Sequence, residues 1–164
     1  MKKKVSPTQK MLNVWAIILI IWALYRAYLK MPDWFDEFIA KPAVFILPVF
    51  YYITKVEKKN FLSGIDFHVK TLGKDVLYGL IVGLFFIATA VFTNFIKTKN
   101  LMVLGPFSVY PLMTVLYLMA LSLATGISEE ILSRGFVLKR LYEESKNIYT
   151  SSFFASVLFF FLHV

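Results

Sequence analysis

Cysteine is absent from the 164 residues, which removes structural disulfides, thiolate zinc sites and a cysteine nucleophile together and leaves the redox compartment open. Histidine occurs only at His68 and His163, so imidazole chemistry has few places to sit. Charge is scarce as well: 17% of the residues are charged and 59% hydrophobic, against roughly 25% and 45–50% in a soluble domain. A soluble chain of this size cannot hide so much apolar surface, and the excess must face lipid. Acidic residues number 10 against 18 basic ones. The basic residues lie between apolar runs, which is the pattern of orientation in an anionic membrane. No basic face interleaved with aromatics is present, and a nucleic-acid partner is excluded on that ground.

What is present is a set of apolar runs long enough to cross a bilayer, which takes about 20 residues. They cover 13–29, 38–54, 76–96 and 107–127, and a fifth opens near 148 and is still apolar at Val164. The expected fold class is an all-α membrane protein, a multispan transmembrane helical bundle with about five spans, forming one domain over 1–164. Because the fifth run has no polar anchor beyond it, the chain reads as a truncated one. Lys2, Lys3, Lys4 and Lys10 precede the first run without a small-residue cleavage site after it, as in a retained anchor. The loop 30–41 holds Asp33, Asp36 and Glu37 against two lysines, whereas 55–75 holds five lysines against Glu57, Asp66 and Asp75. That bias puts the N-terminus in the cytoplasm of a cell, most simply a bacterial one. Pro42, Pro106 and Pro111 fall near span starts, and Pro48 is expected to kink the second span.

Most charges read as solvated loop faces, with one exception. Glu129, Glu130 and Arg134 follow directly on the fourth apolar run and precede another apolar stretch. If the helix ends at Ile127, these groups stand in cytoplasmic water and Glu130 with Arg134 is an ordinary i,i+4 surface pair. If it continues and reverses near Lys146, then Glu129 and His163, each 17 residues from that turn, lie roughly 25 Å from it at 1.5 Å per residue and face one another. A carboxylate and an imidazole at one level can hold a water, the carboxylate taking its proton.

Other routes to peptide hydrolysis are poorly represented. Neither histidine opens a His-Glu-x-x-His zinc site. None of Asp33, Asp36, Asp66 and Asp75 lies inside an apolar run, so an aspartyl dyad has no members. Ser133 with His163 lacks a Gly-x-Ser context, and His68 sits in the lysine-rich loop, where solvation is its simplest role.

Glu129-Glu130 with Arg134 and Gly135, followed about thirty residues later by Phe159 and His163, resembles the first two motifs of the CAAX prenyl protease and bacteriocin-processing family (CPBP, also called Abi). The resemblance covers 120–164 best. It implies a multispan glutamate-type intramembrane endopeptidase in which Glu129 and His163 activate water, Glu130 and Arg134 support them, and Phe159 lines the substrate pocket. It implies no resident cofactor and leaves metal dependence open; the partners are membrane lipid and a peptide or protein substrate. Ser133 stands where family members often carry phenylalanine. The family's third motif, a histidine four residues before a polar residue that binds the oxyanion, is not reached, so these 164 residues alone are expected to lack turnover.

The alternative reading is a non-proteolytic membrane protein, whether a regulatory or scaffold partner or a bacteriocin self-immunity protein. A transporter is less well supported, since no repeat is visible. The lysine bias itself is testable: a cysteine at Ser63 is expected to resist membrane-impermeant thiol reagents in intact cells and one at Ser108 to react. The reverse labelling would refute the orientation.

Overall fold

The computed structural model describes residues 5–99 and 111–163, and every regular element among them is a helix. Lys2, Lys3, Lys4, Pro106, Ser108, Val164 and the expected start of the fourth span at 107 lie outside the described residues. The helices are α1 (Pro7–Tyr28), α2 (Asp33–Val56), α3 (Phe61–Gly64), α4 (Leu72–Thr98), α5 (Leu112–Ser145) and α6 (Ile148–Phe161). Four of them, α1, α2, α4 and α5, are long and apolar enough to cross a membrane, and α6 is an apolar helix of 14 residues. The protein is an all-α multispan membrane protein, with four such helices and this shorter one among the described residues, in line with the expected bundle.

Two boundaries differ from the expectation for physical reasons. Helix α1 starts at Pro7 because the Ser6 side chain accepts from Gln9 N–H and proline needs no donor in a first turn. Helix α2 starts at Asp33, so Asp36, Glu37 and Lys41 belong to the helix and not to a loop; Asp36 and Lys41 are buried. Hydropathy reads any charged stretch as loop, whereas here the charges are paired inside protein. Pro48 is accommodated by widened turns: Leu47 N–H reaches back five residues to Pro42 O, within a π-helical stretch from Pro42 to Ile46.

Helix α5 runs unbroken past Glu129, Glu130 and Arg134, with π turns over Ile131–Leu138. It stops at Lys146, whose backbone is left-handed (φ 55°) and whose N–H bonds to Tyr142 O. Asn147 then caps α6 by accepting from Thr150 N–H. A non-glycine residue in that conformation is uncommon, and the bond between Ser145 Oγ and Ser151 Oγ, 2.7 Å, ties the two sides of the turn together.

The chain forms two compact units, one of Met1–Phe67 with Ala120–Val164 and one of His68–Met119. In the first, Met11, Trp15, Ile18 and Trp22 make one stripe of α1 at helical spacing and pack with Phe45, Val49 and Ile53 of α2 and Leu132, Phe136 and Val137 of α5. Trp22 meets the edge of Phe45 at 5.0 Å, and Tyr52 that of Phe136 at 5.4 Å. Pairs read along the helices give their directions. Glu37 with Thr125 and Lys41 with Glu129 are both 88 positions apart, so α2 and α5 run parallel. Thr8 N–H bonds to Glu144 Oε2 at 2.9 Å, which sets α1 antiparallel to α5. The start of α1 and the ends of α2 and α5 therefore share one end of this unit.

That end is closed by Arg140, which is 1% exposed and so is no solvated loop charge. Its guanidinium grips Glu57 through Nε and Nη2 at 3.1 and 2.9 Å, and Nη1 donates to the carbonyls of Gly64 and Gly135 at 3.0 and 2.8 Å. Both glycines sit where backbone must come close. A β-carbon at Gly64 would overlap Ile53 Cγ2, and one at Gly135 would lie 2.9 Å from Ile65 Cβ.

In the second unit, no residue of α4 is buried. Its threonine hydroxyls are satisfied internally, Thr89 donating to Phe85 O and Thr93 to Thr89 O, both at 2.9 Å. These glycine contacts give a stability test. Gly64→Ala is expected to cost about 1 to 3 kcal/mol through overpacking, whereas Gly126→Ala, with no atom within 4 Å of the added carbon, should leave stability unchanged or raise it. Thermal unfolding in detergent measures both; equal midpoints would contradict the close approach.

Candidate functional site

Four helices of the first unit place polar groups around one cavity of about 570 Å³, lined among others by Trp22, Arg26, Glu37, Lys41, Glu129 and His163. The backbone places them simply. Glu37 and Lys41 are four residues apart on α2, and Thr125 and Glu129 are four apart on α5, so each pair shares a helix face. With α2 and α5 parallel, the two faces meet rung to rung.

The lower rung is a hydrogen bond from Thr125 Oγ1 to Glu37 Oε2. The upper one is Lys41 Nζ on Glu129 Oε1 at 3.0 Å, and Lys41 also reaches Glu37 Oε2 at 2.8 Å. The Lys41, Glu37 and Glu129 side chains are 11%, 20% and 17% exposed. Charges this far inside apolar helices persist only when paired, and here each is.

His163 arrives from the end of α6, which runs antiparallel to α5. Its Nε2 is 3.6 Å from Glu129 Oε1, the oxygen that Lys41 also holds, and its Nδ1 is 3.1 Å from Phe159 O. A carbonyl can only accept, so the proton of a neutral ring belongs on Nδ1 and Nε2 is left as an acceptor. Two acceptors at 3.6 Å do not bond each other, but a water can donate to both. The separation agrees with counting 17 residues either way from Lys146.

Glu130 and Arg134 pair at 2.9 Å with side chains 53% and 73% exposed. They are not brought into the cavity with Glu129 and His163. They line a second cavity of about 400 Å³ with Ser133, Ser152, Ser156 and Phe159. Phe159 joins the two regions, since its ring centroid lies 4.6 Å from that of His163. Ser133 Oγ donates to Glu129 O at 2.6 Å, so its hydroxyl is spent on the helix backbone.

Glu37, Lys41 and Thr125 were not legible as site residues, nor was the neighbouring cluster in which buried Asp36 accepts from Tyr25 Oη and pairs with Arg26 at 3.0 Å. The signal available was the i,i+4 spacing of Glu37 and Lys41 directly before Pro42. Among the described residues no three histidine, aspartate or glutamate side chains gather into a possible metal site.

Residues 111–164 match the family described as type II CAAX prenyl endopeptidase, Rce1-like, and the resemblance to CAAX proteases is thereby shown over that stretch. It contains Glu129, Glu130, Arg134, Phe159 and His163. No curated protein and no solved structure matches the chain.

The site geometry has a direct test. In a chain without native cysteine, Glu129→Cys with His163→Cys should be joined by a short bifunctional thiol reagent in membranes, while Glu129→Cys with His68→Cys should not. Equal yields would contradict the convergence of α5 and α6.

Proposed function

We propose that the protein is an intramembrane peptide hydrolase of the CAAX-protease type in which Glu129 and His163 activate a water molecule. The observation that carries this reading is the approach of Glu129 Oε1 to His163 Nε2, 3.6 Å, from neighbouring antiparallel helices. A water donating to Glu129 and to His163 Nε2 turns its lone pair toward the cavity. Glu129 accepts one proton as the oxygen attacks a peptide carbonyl, and the same proton passes to the amine nitrogen as the C–N bond breaks. Histidine orients the water and takes no net charge in this scheme. The Lys41, Glu37 and Glu129 side chains are largely withdrawn from solvent, which raises the value of each fixed interaction.

Glu130 and Arg134 support α5 from its other cavity, where Phe159 and the serines offer a place for substrate side chains. The substrate is a peptide that meets the membrane. Lys10, Lys55, Lys58, Lys59 and Lys139 lie toward the shared end of α1, α2 and α5, the arrangement that an inward-facing end requires, and the cavity lies nearer the opposite end.

The test uses the protein expressed from its complete reading frame, purified in detergent or lipid, with prenylated and unprenylated reporter peptides. Wild type is expected to release product with and without chelator. Glu129→Gln and His163→Ala should each remove cleavage while the helical spectrum and melting temperature stay as in wild type. Arg134→Ala should fold normally, since an exposed i,i+4 pair is worth only about 0.3–0.5 kcal/mol. Full activity of Glu129→Gln would overturn the glutamate mechanism. A well-folded wild type that cleaves neither peptide would favour the regulatory, scaffold or self-immunity reading.

A further inference from the structure

Lys41 has no part in the two motifs and lies outside the residues 111–164 that match a known family. Its side chain is nevertheless drawn into the cavity, 11% exposed, with two of its three N–H donors spent on carboxylates. Lysine in an apolar helix is costly to keep, and a neutral residue would spare that cost. The geometry points to what the charge is for.

A glutamate's terminal torsion is broad, so its carboxylate plane turns with little resistance unless something holds an oxygen. At Glu129 the holder is Lys41. Oε1 accepts from Lys41 Nζ at 3.0 Å, and among the described residues no donor reaches Oε2. Lys41 is in turn fixed by Glu37 one turn earlier on its own helix, and Glu37 by the Thr125 hydroxyl one turn before Glu129. The loop of contacts closes on itself: Glu129, Lys41, Glu37, Thr125, and back along α5 to Glu129.

We infer that Lys41 is a positioning residue for Glu129: it anchors Oε1, the oxygen that faces His163 Nε2, and so fixes the carboxylate plane against the water that the two residues hold. Glu37 and Thr125 are the tether that keeps Lys41 in place. This rests on the hydrolase reading and deepens it, because it assigns to α2 a share in a site that the motifs place wholly on α5 and α6. Misplacing a reacting group by about 1 Å costs on the order of a hundredfold in rate without any change in contact with substrate.

Lys41→Met alone strands two carboxylates and can fail for that reason, so the informative variant is the charge-balanced pair Lys41→Met with Glu37→Gln. With the reporter peptides above, this pair is expected to lower kcat per folded molecule about a hundredfold with KM unchanged. Lys41→Arg, which keeps a donor on Oε1, should recover most of the lost kcat. A purely structural lysine would leave kcat per folded molecule unchanged in the pair and show no recovery by arginine beyond the gain in folded protein. Wild-type kcat in the folded double variant, with Glu129→Gln inactive in the same assay, overturns the inference and leaves the hydrolase reading standing. Absence of cleavage by wild type itself removes the hydrolase reading, and with it the role given to Lys41.

Discussion

Pairing of charge inside lipid is the constraint on which this structure turns. Glu129 stands in the middle of a 34-residue apolar helix, where a lone carboxylate is intolerable. It is held by Lys41, which is held by Glu37, which is held by Thr125. Because the partners come from two helices at matching intervals, the pairing also sets the register and direction of α2 against α5. The polar groups that make a site possible and those that align the bundle are the same groups.

At the other end Arg140 plays the corresponding part. Four of its N–H donors meet the Glu57 carboxylate and the two carbonyls whose close approach depends on Gly64 and Gly135. The rigid guanidinium fork suits such a task better than an ammonium would. Between the two polar anchors the packing is apolar and aromatic, from Trp22 on Phe45 to Tyr52 on Phe136. Apolar burial drives little association where the solvent is itself hydrocarbon. The anchors therefore account for more of the specificity than their number suggests, and the roughly 16 Å that eleven residues of α5 put between Glu129 and Arg140 is spanned by ordinary side-chain fit.

How much of this could be read beforehand follows from what hydropathy measures. The membrane class, the apolar segments and the turn at Lys146 come from composition and from breaks in composition, and they were legible. Counting from that turn brought Glu129 opposite His163, because rise per residue is nearly constant in a helix. The start of α2 was not legible, because Asp33, Asp36, Glu37 and Lys41 have the composition of a loop and their partners lie 88 residues away or on α1. Lys41 was missed for the same reason, and Arg140 was read as solvated since its acceptors are backbone carbonyls and a distant glutamate. Spacing within one helix is visible in a sequence; charge compensation between helices is not. Glu130 and Arg134 show the converse, because residues adjacent in a motif point to different cavities once the helix turns between them.

The account therefore comes to one arrangement of atoms, a glutamate oxygen and an imidazole nitrogen holding a water between them while a lysine from another helix fixes the glutamate. A crystal structure grown from lipid, at a resolution that shows ordered water, tests it most directly. The expected result is a single water within about 3 Å of both a Glu129 oxygen and His163 Nε2, with Lys41 Nζ still on Glu129 Oε1. A structure in which Glu129 turns away from His163, or in which α5 breaks after Ile127 and leaves both carboxylates in bulk water, would contradict it.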